Sequence, residues 1–260
     1  MVDWGKGRYE DTAAELEPVA AAVVAMAAPR AGDRLLDIAC GTGNGALLAA
    51  AQGADVVGVD AAPRLVAVAE ERAVAAGLSL ELLVGDALAV PVADGSFDIV
   101  VSIFGVIFVS DPAQAMAEVA RVLRPGGRAY VTAWIPAGPI NDMLTVLGRA
   151  IGRATGGAPP PKRFPWSKTD SVRSIAEPCG LAVSTTRHEL EIRAASPAAY
   201  VDSGQEHPMA LDAWPLLERA GVLDTLREEM IDALAPHNED APRLLIRSPY
   251  VVHELRPAGG

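Results

Sequence analysis

The stretch Leu35–Asn44, LLDIACGTGN, constrains this chain more than any other part of it. Arg34–Ala39 is a short apolar run of the kind buried in a parallel sheet, and Asn44–Gly53, NGALLAAAQG, reads as a helix. The glycines between them let backbone come close to a ligand, and the free N–H groups at the helix start point toward it. The next apolar run, Ala54–Asp60, ends in an acid 17 residues beyond Gly43. A carboxylate there can take both ribose hydroxyls of a nucleoside, and both features fall at carboxyl ends of strands, where open α/β sheets bind ligands.

The pattern continues in the same style. Pro63 is placed as the first helical residue of Pro63–Gly77, Ser79–Gly85 alternates as a third strand, and Ser96–Gly105 reads as a fourth. Asp111 is set to cap a helix over Asp111–Leu123, with Pro112 at its first position. Arg124–Gly127, RPGG, reads as a turn into a fifth strand over Arg128–Trp134. Residues 136–170 are rich in Pro and Gly and interrupt the regular winding. Ser184–Ile192 and Arg243–Leu255 alternate as two later strands, with one or two amphipathic helices over Trp214–Leu234 between them. The expectation is an α/β fold: a doubly wound, seven-stranded, mostly parallel sheet with a helical and loop lid inserted after the fifth strand.

Composition narrows the function. With 33 acidic against 22 basic residues, the formal charge of −11 disfavours a protein that neutralises nucleic-acid phosphates. The apolar Pro18–Pro29 is shorter than the roughly 20 residues a membrane span needs, and the first residues show no basic stretch followed by an apolar run, so secretion is not expected. Cys40 and Cys179 cannot build a disulfide framework, which fits the cytoplasm, and no two of the four histidines share metal-ligand spacing with a cysteine or carboxylate cluster. Expected partners are therefore small molecules, with no nucleic acid, no membrane and no metal.

Which nucleoside binds is set by the acids. Gly41, Gly43 and Ala46 satisfy G-x-G-x-x-G/A, so the loop alone admits a nicotinamide dinucleotide. Asp37, however, stands four residues before Gly41, where a pyrophosphate would be repelled and a sulfonium cofactor with an α-ammonium group would be welcomed. Asp86 ends the third strand, where its carboxylate can accept from an adenine amino group. An oxidoreductase would also want a Tyr-x-x-x-Lys or comparable pair, and Lys6, Lys162 and Lys168 form none.

Taken in order, DIACGTGN, VVGVD, GDALAVPVADGSFDIVVS and RVLRPGGRAYVTAW resemble the Rossmann-like class I S-adenosylmethionine-dependent methyltransferases, in the style of the branch that includes the ubiquinone/menaquinone-biosynthesis enzymes. The resemblance runs over roughly residues 4 to 134. It implies S-adenosyl-L-methionine as cofactor, with Asp37, Gly41, Thr42 and Gly43 along its methionine and ribose portion and Asp60 on the ribose hydroxyls. It puts Ala61 and Leu65 beside the adenine, and Asp86 and Ala87 at the adenine edge. Ser102, Ile103 and Phe104 lie by the methionine moiety, and Tyr9 of WGKGRYE near the same end. It implies one methyltransferase domain over 1–260, with a cofactor core at about 30–135 and lid segments at about 136–180 and 195–242.

No universal base travels with this resemblance, so acceptor contacts come from the residues themselves. His207, in the irregular SGQEHPM, is the candidate base and substrate contact. Trp134 at the end of the fifth strand, with Tyr9, is a candidate acceptor wall. His188 and His253 read as structural or exposed, His237 as surface, and Cys40 as a small buried residue behind the loop. The expected reaction is O-, N- or C-methylation of a small molecule in bacterial specialised metabolism or a quinone-like pathway. The alternatives are a non-methylating enzyme that binds the same cofactor on the same fold and, below it, the nicotinamide-dependent oxidoreductase.

Overall fold

In the computed structural model, residues 3–157, 163–211 and 213–258 are described; Lys162 lies outside them. The strands are β1 (Arg34–Ile38), β2 (Asp55–Asp60), β3 (Glu81–Val84), β4 (Phe97–Ser102), β5 (Leu123–Trp134), β6 (Leu181–Ala194) and β7 (Leu244–Pro257). The helices are α1 (Tyr9–Ala27), α2 (Asn44–Ala51), α3 (Pro63–Ala75), α4 (Pro112–Val122) and α5 (Pro139–Ala154). They continue with α6 (Thr169–Ala176), α7 (Pro197–Ser203), α8 (Pro208–Leu211), α9 (Trp214–Arg219) and α10 (Leu223–Leu234). The described residues group into two compact units. One comprises Leu16–Trp134, Phe164–His188 and Tyr250–Gly260, the other Met1–Glu15, Ile135–Arg163 and Glu189–Pro249.

The first unit is built on the sheet, whose order is β3-β2-β1-β4-β5-β7-β6. Strands β1 to β5 pair in parallel, and β7 runs antiparallel to β5 with Trp134 opposite Tyr250. The central strands are apolar on both faces because helices cover both: Leu35, Leu36, Ile38, Ile99 and Val100 are wholly buried. Order reverses between β1 and β4, the topological switch point at which open α/β sheets leave a crevice for ligands. Local signals act where expected. The Asp111 carboxylate accepts from the Gln114 N–H at 3.0 Å, and Pro63 and Pro112 open α3 and α4.

Three expectations are revised. RPGG lies inside β5, where the register shifts between Phe97 and Ile99 and Gly126 has φ 79°, so it bulges the strand instead of turning before it. The Pro/Gly-rich region after β5 contains the 16-residue helix α5: Pro139 supplies the first turn, and apolar residues recur at helical spacing through Leu144, Leu147 and Ile151. Residues 164–180, read as lid, fold with the sheet unit, where α6 packs on α4.

His253 explains how that segment is held. Wholly buried on β7, its ring accepts at Nδ1 from the Thr185 hydroxyl at 2.8 Å and donates from Nε2 to the Trp166 carbonyl at 2.6 Å. Thr169 extends the chain of bonds by donating to Thr185 at 2.9 Å. Burial pushes the imidazole pKa down, so the ring is a neutral brace. Replacing His253 with Leu strands the Trp166 carbonyl and should cost about 1–3 kcal/mol in urea unfolding; an unchanged midpoint would refute the brace.

The second unit is mainly helical. α5 packs on α9 and α10, and α10 on α7, around buried Leu217, Leu226, Met230 and Leu234. The amphipathic run at Trp214–Leu234 is two helices, parted at Gly221 with φ 66°. Among the described residues no helix is long and apolar enough to cross a membrane.

Candidate cofactor site

The turn after β1 is held in an unusual backbone conformation. Ala39, Gly41 and Gly43 have φ of 57°, 56° and 85°, three left-handed residues within five. Gly41 and Gly43 adopt this freely, whereas Ala39 is strained, and such strain concentrates at ligand-binding turns. The turn is locked by Cys40 N–H to the Val59 carbonyl at 3.0 Å and Gly43 N–H to the Cys40 carbonyl at 2.9 Å. Across the switch point, Phe104 is likewise left-handed at φ 54°.

Two acids flank the turn from beneath. Asp37 is 1% exposed and accepts the Ala46 N–H at 2.9 Å, inside the first turn of α2. A Cβ on Gly45 would stand 2.8 Å from its Oδ2, so the helix can approach this carboxylate only with glycine there. Burial pushes the Asp37 pKa up to about 7; the Ala46 N–H opposes the rise and the charge of Asp60 adds to it. Asp60, at the end of β2, spans two segments: Oδ2 accepts from Gly41 N–H and Oδ1 from Ala62 N–H, each at 2.8 Å. Burial raises its pKa as well, against those two bonds. Each oxygen keeps a further lone pair for a ligand hydroxyl. The same acids and its own burial push the Cys40 thiol well up, so Cys40 is a buried packing residue and not a thiolate.

Such a pair of buried carboxylates is costly alone and is offset by a ligand that brings positive charge. A sulfonium with an α-ammonium group does so, and a pyrophosphate does the opposite. The donor set therefore fits S-adenosylmethionine.

The remaining residues sort by what they present. Asp86 is exposed beyond β3, one oxygen turned to the Leu88 N–H at 2.9 Å, and Ala87 follows it. That loop is pinned from α4: Glu118 accepts the Val90 N–H at 2.7 Å, while Arg121 donates to the Val90 and Val92 carbonyls at 2.8 Å. Ala61 is exposed. Leu65 is 2% exposed and packs beneath the first turn of α3, as buried as the Asp37 and Thr42 side chains of the glycine turn. Ser102, which the resemblance places by its backbone beside the methionine moiety, uses its side chain within the fold. Wholly buried, its hydroxyl donates to the Ile38 carbonyl at 2.8 Å and accepts the Val106 N–H at 3.1 Å, tying β4 to β1. Thr42 is buried with its hydroxyl turned to Arg72 at 3.1 Å, which leaves its backbone as what the loop offers.

Phe104 and Trp134 stack face to face, 4.1 Å apart with 4° between planes. Tyr250 stands edge-on to both, at 5.7 and 6.3 Å, and His188 stacks on Tyr250 at 5.4 Å. Trp134 keeps a partly exposed surface at the end of β5. Tyr250 joins this wall only because β7 pairs with β5, a register no local sequence signal reveals.

Tyr9 and His207 fall in the second unit, each ring edge-on to Trp4, at 5.8 and 6.0 Å. The Arg8 N–H donates to the Glu206 carbonyl at 3.0 Å. His207 Nδ1 accepts the Met209 N–H at 3.1 Å, so in the neutral ring the proton sits on Nε2. Burial lowers the His207 pKa, favouring that neutral form. The expected base thus has its Nδ1 lone pair engaged and carries its proton on Nε2. In the same unit Tyr200 donates to Glu15 at 3.2 Å, and burial lifts Glu15 to about 7; neither residue stood out in the sequence. His237 pairs with Asp142 at 2.9 Å. Among the described residues no cluster of three His, Cys, Asp or Glu side chains could hold a metal ion.

Comparison with known proteins agrees with this geometry. The family described as a methyltransferase domain matches residues 36–131. Uncharacterised proteins of Mycobacterium tuberculosis are 35% identical over 191 residues, covering 73% of this chain and 69% of theirs. A demethylmenaquinone methyltransferase of Thermus thermophilus is 45% identical over 115 residues, 44% of this chain and 52% of that protein. Among solved structures, the YcgJ protein of Bacillus subtilis aligns with a TM-score of 0.63 at 21% identity, over 93% of this chain and 98% of that one.

Proposed function

From the premise that this chain belongs to the class I S-adenosylmethionine-dependent methyltransferases, we propose that it methylates a small, flat acceptor at O, N or C, in the cytoplasm, within bacterial specialised metabolism or a quinone-like pathway. The observation that carries the acceptor class is Trp134, whose partly exposed ring at the end of β5 is backed by the buried rings of Phe104 and Tyr250. An indole held rigidly at the rim favours a planar molecule over a macromolecular backbone. The net charge of −11 speaks in the same direction against nucleic acid, and a demethylmenaquinone methyltransferase among the relatives supports a planar, quinone-like acceptor.

The cofactor supplies an electrophilic methyl on a sulfonium, with a neutral thioether as leaving group. The protein's share is binding, orientation and exclusion of water. Asp37 and the backbone of Gly41–Gly43 are assigned to the methionine portion, Asp60 to the ribose hydroxyls, and Ala61, Asp86 and Ala87 to the adenine. Phe104 and Trp134 are assigned to the reacting end; Tyr9 and His207, which belong to the other unit, are assigned to the acceptor from their sequence context alone. His207 contributes the Nε2–H as a hydrogen-bond donor that orients an acceptor oxygen or nitrogen.

Incubation with methyl-labelled cofactor and a panel of naphthalenediols, phenols and amines, followed by S-adenosylhomocysteine release, tests the reading. Label in a planar hydroxyaromatic supports it; label only in aliphatic amines refutes the acceptor class. Conversion of a panel member without label transfer would favour the non-methylating alternative. On a labelled acceptor, His207→Ala should lower turnover about five- to tenfold, the worth of one hydrogen bond, with cofactor affinity unchanged. His207→Gln, which keeps an N–H donor, should recover part of it. Equal losses in both variants would restore His207 as a base.

A further inference from the structure

One cation reaches the glycine turn from outside the motif. Arg72, in the last turn of α3, donates from Nη1 to the Thr42 carbonyl at 2.8 Å, the Thr42 hydroxyl at 3.1 Å and the Asn44 side-chain oxygen at 2.7 Å. These acceptors flank Gly43, the N-cap of α2, which has no side-chain cap of its own. Ala69, one turn earlier on α3, lies against the same glycine: a Cβ on Gly43 would stand 3.1 Å from the Ala69 methyl. The left-handed Gly43 thus owes its geometry to α3 on one side and to the Cys40 carbonyl on the other.

α3 is also the element fixed to Asp60, through the Ala62 N–H at its start. The two ends of one helix therefore hold the two halves of the site, Ala62 with Asp60 at the ribose position and Arg72 with Thr42 and Asn44 at the methionine position. Losing the Arg72 bonds leaves the Thr42–Gly43 peptide held only through its N–H to the Cys40 carbonyl at 2.9 Å, with its own carbonyl no longer fixed at an uncapped helix start. One guanidinium nitrogen, Nη1, with its two N–H groups shared among three acceptors, makes all of these contacts.

We propose that Arg72 is a positioning residue that sets the affinity of the glycine turn for the methionine portion of the cofactor, without touching the cofactor. This rests on the assignment of that turn to the methionine portion and predicts a selective effect. S-adenosylhomocysteine carries the amino-acid arm; 5′-methylthioadenosine keeps the nucleoside and lacks the arm. By calorimetry, Arg72→Met should weaken S-adenosylhomocysteine about tenfold or more, in line with lost charge-assisted hydrogen bonds, while methylthioadenosine changes about twofold at most. Arg72→Lys should recover part of the loss.

A purely structural role for Arg72 would weaken both ligands together and lower the melting temperature, and that result overturns the proposal, as does unchanged S-adenosylhomocysteine affinity. If Arg72→Met is too unstable to titrate, Arg72→Lys carries the same comparison: a selective partial loss supports the proposal, and parallel or absent losses overturn it. Asp37→Asn separates the two layers of inference. Selective loss in Asp37→Asn without selective loss in the Arg72 variants refutes Arg72 alone. Absence of selectivity in Asp37→Asn refutes the assignment of the turn itself.

Discussion

Asp60→Ala binds S-adenosylhomocysteine at least tenfold more weakly than the native chain, and this is the sharpest expected loss at the nucleoside end. The substitution removes more than a ribose contact. Asp60 accepts from Gly41 and Ala62 at 2.8 Å each, so it fastens the glycine turn to the start of α3 before any ligand arrives. Each hydrogen bond to a charged group is worth about 1.5–3 kcal/mol. Losing the ribose bonds alone therefore costs more than about 1.5 kcal/mol in affinity, and loosening Gly41 adds to it. Asp60→Asn should fall between the two, since one amide oxygen can hold Gly41 or Ala62 but not both. Because the nucleoside is common to both ligands, methylthioadenosine should weaken with S-adenosylhomocysteine, unlike in the Arg72 variants. Calorimetric affinity close to native in Asp60→Ala would end the ribose assignment.

Why the sequence revealed so much of this site follows from where the determinants lie. The turn, its two acids and the caps of α3 and α4 are close in the chain: Pro63 and Asp111 act on their own helix starts, and Asp37 and Asp60 reach partners 9 and 19 positions away, inside one strand–helix–strand unit. Such features read directly from a string. Arg72, Tyr250 and Glu15 do not, because each acts through a partner 28 to 185 positions away that only packing supplies. Leu65 and Ser102 show the converse limit. Their side-chain partners come from packing: Leu65 is drawn under α3, and Ser102 spends its hydroxyl on joining two strands. α5 was hidden by its own flanks: the glycines and prolines around it signal interruption, while the apolar spacing inside them builds a helix with Pro139 as its first turn.

Asp37→Asn should make the ligand-free protein more stable at neutral pH while removing most of its affinity for S-adenosylhomocysteine. The sign follows from the carboxyl's position above its ordinary range. Unfolded, Asp37 ionises near 3.8; folded, it holds its proton until about 7. Between those values the native state binds more protons than the unfolded chain, so its stability falls as pH rises through that window and stays lowered above it. At about 1.4 kcal/mol per pH unit, the ionised carboxylate weighs on the native state by a few kcal/mol. An Asn side chain never ionises and can still accept the Ala46 N–H now held at 2.9 Å. Against this, its buried NH2 group carries a cost of about 1–3 kcal/mol where it finds no acceptor. The net expectation is a gain of about 1–2 kcal/mol above pH 7, seen as a melting temperature several degrees higher, and no gain at pH 4, where both side chains are neutral. The ligand removes the apparent paradox. A protein that keeps a costly carboxylate beneath its binding turn stores the cost for a cation to offset, so native affinity for S-adenosylhomocysteine should rise with pH through about 7, and that rise should vanish in the variant. A variant that is less stable than native at pH 8 and binds with the native pH profile would show that Asp37 braces α2 and does not meet the ligand's ammonium group.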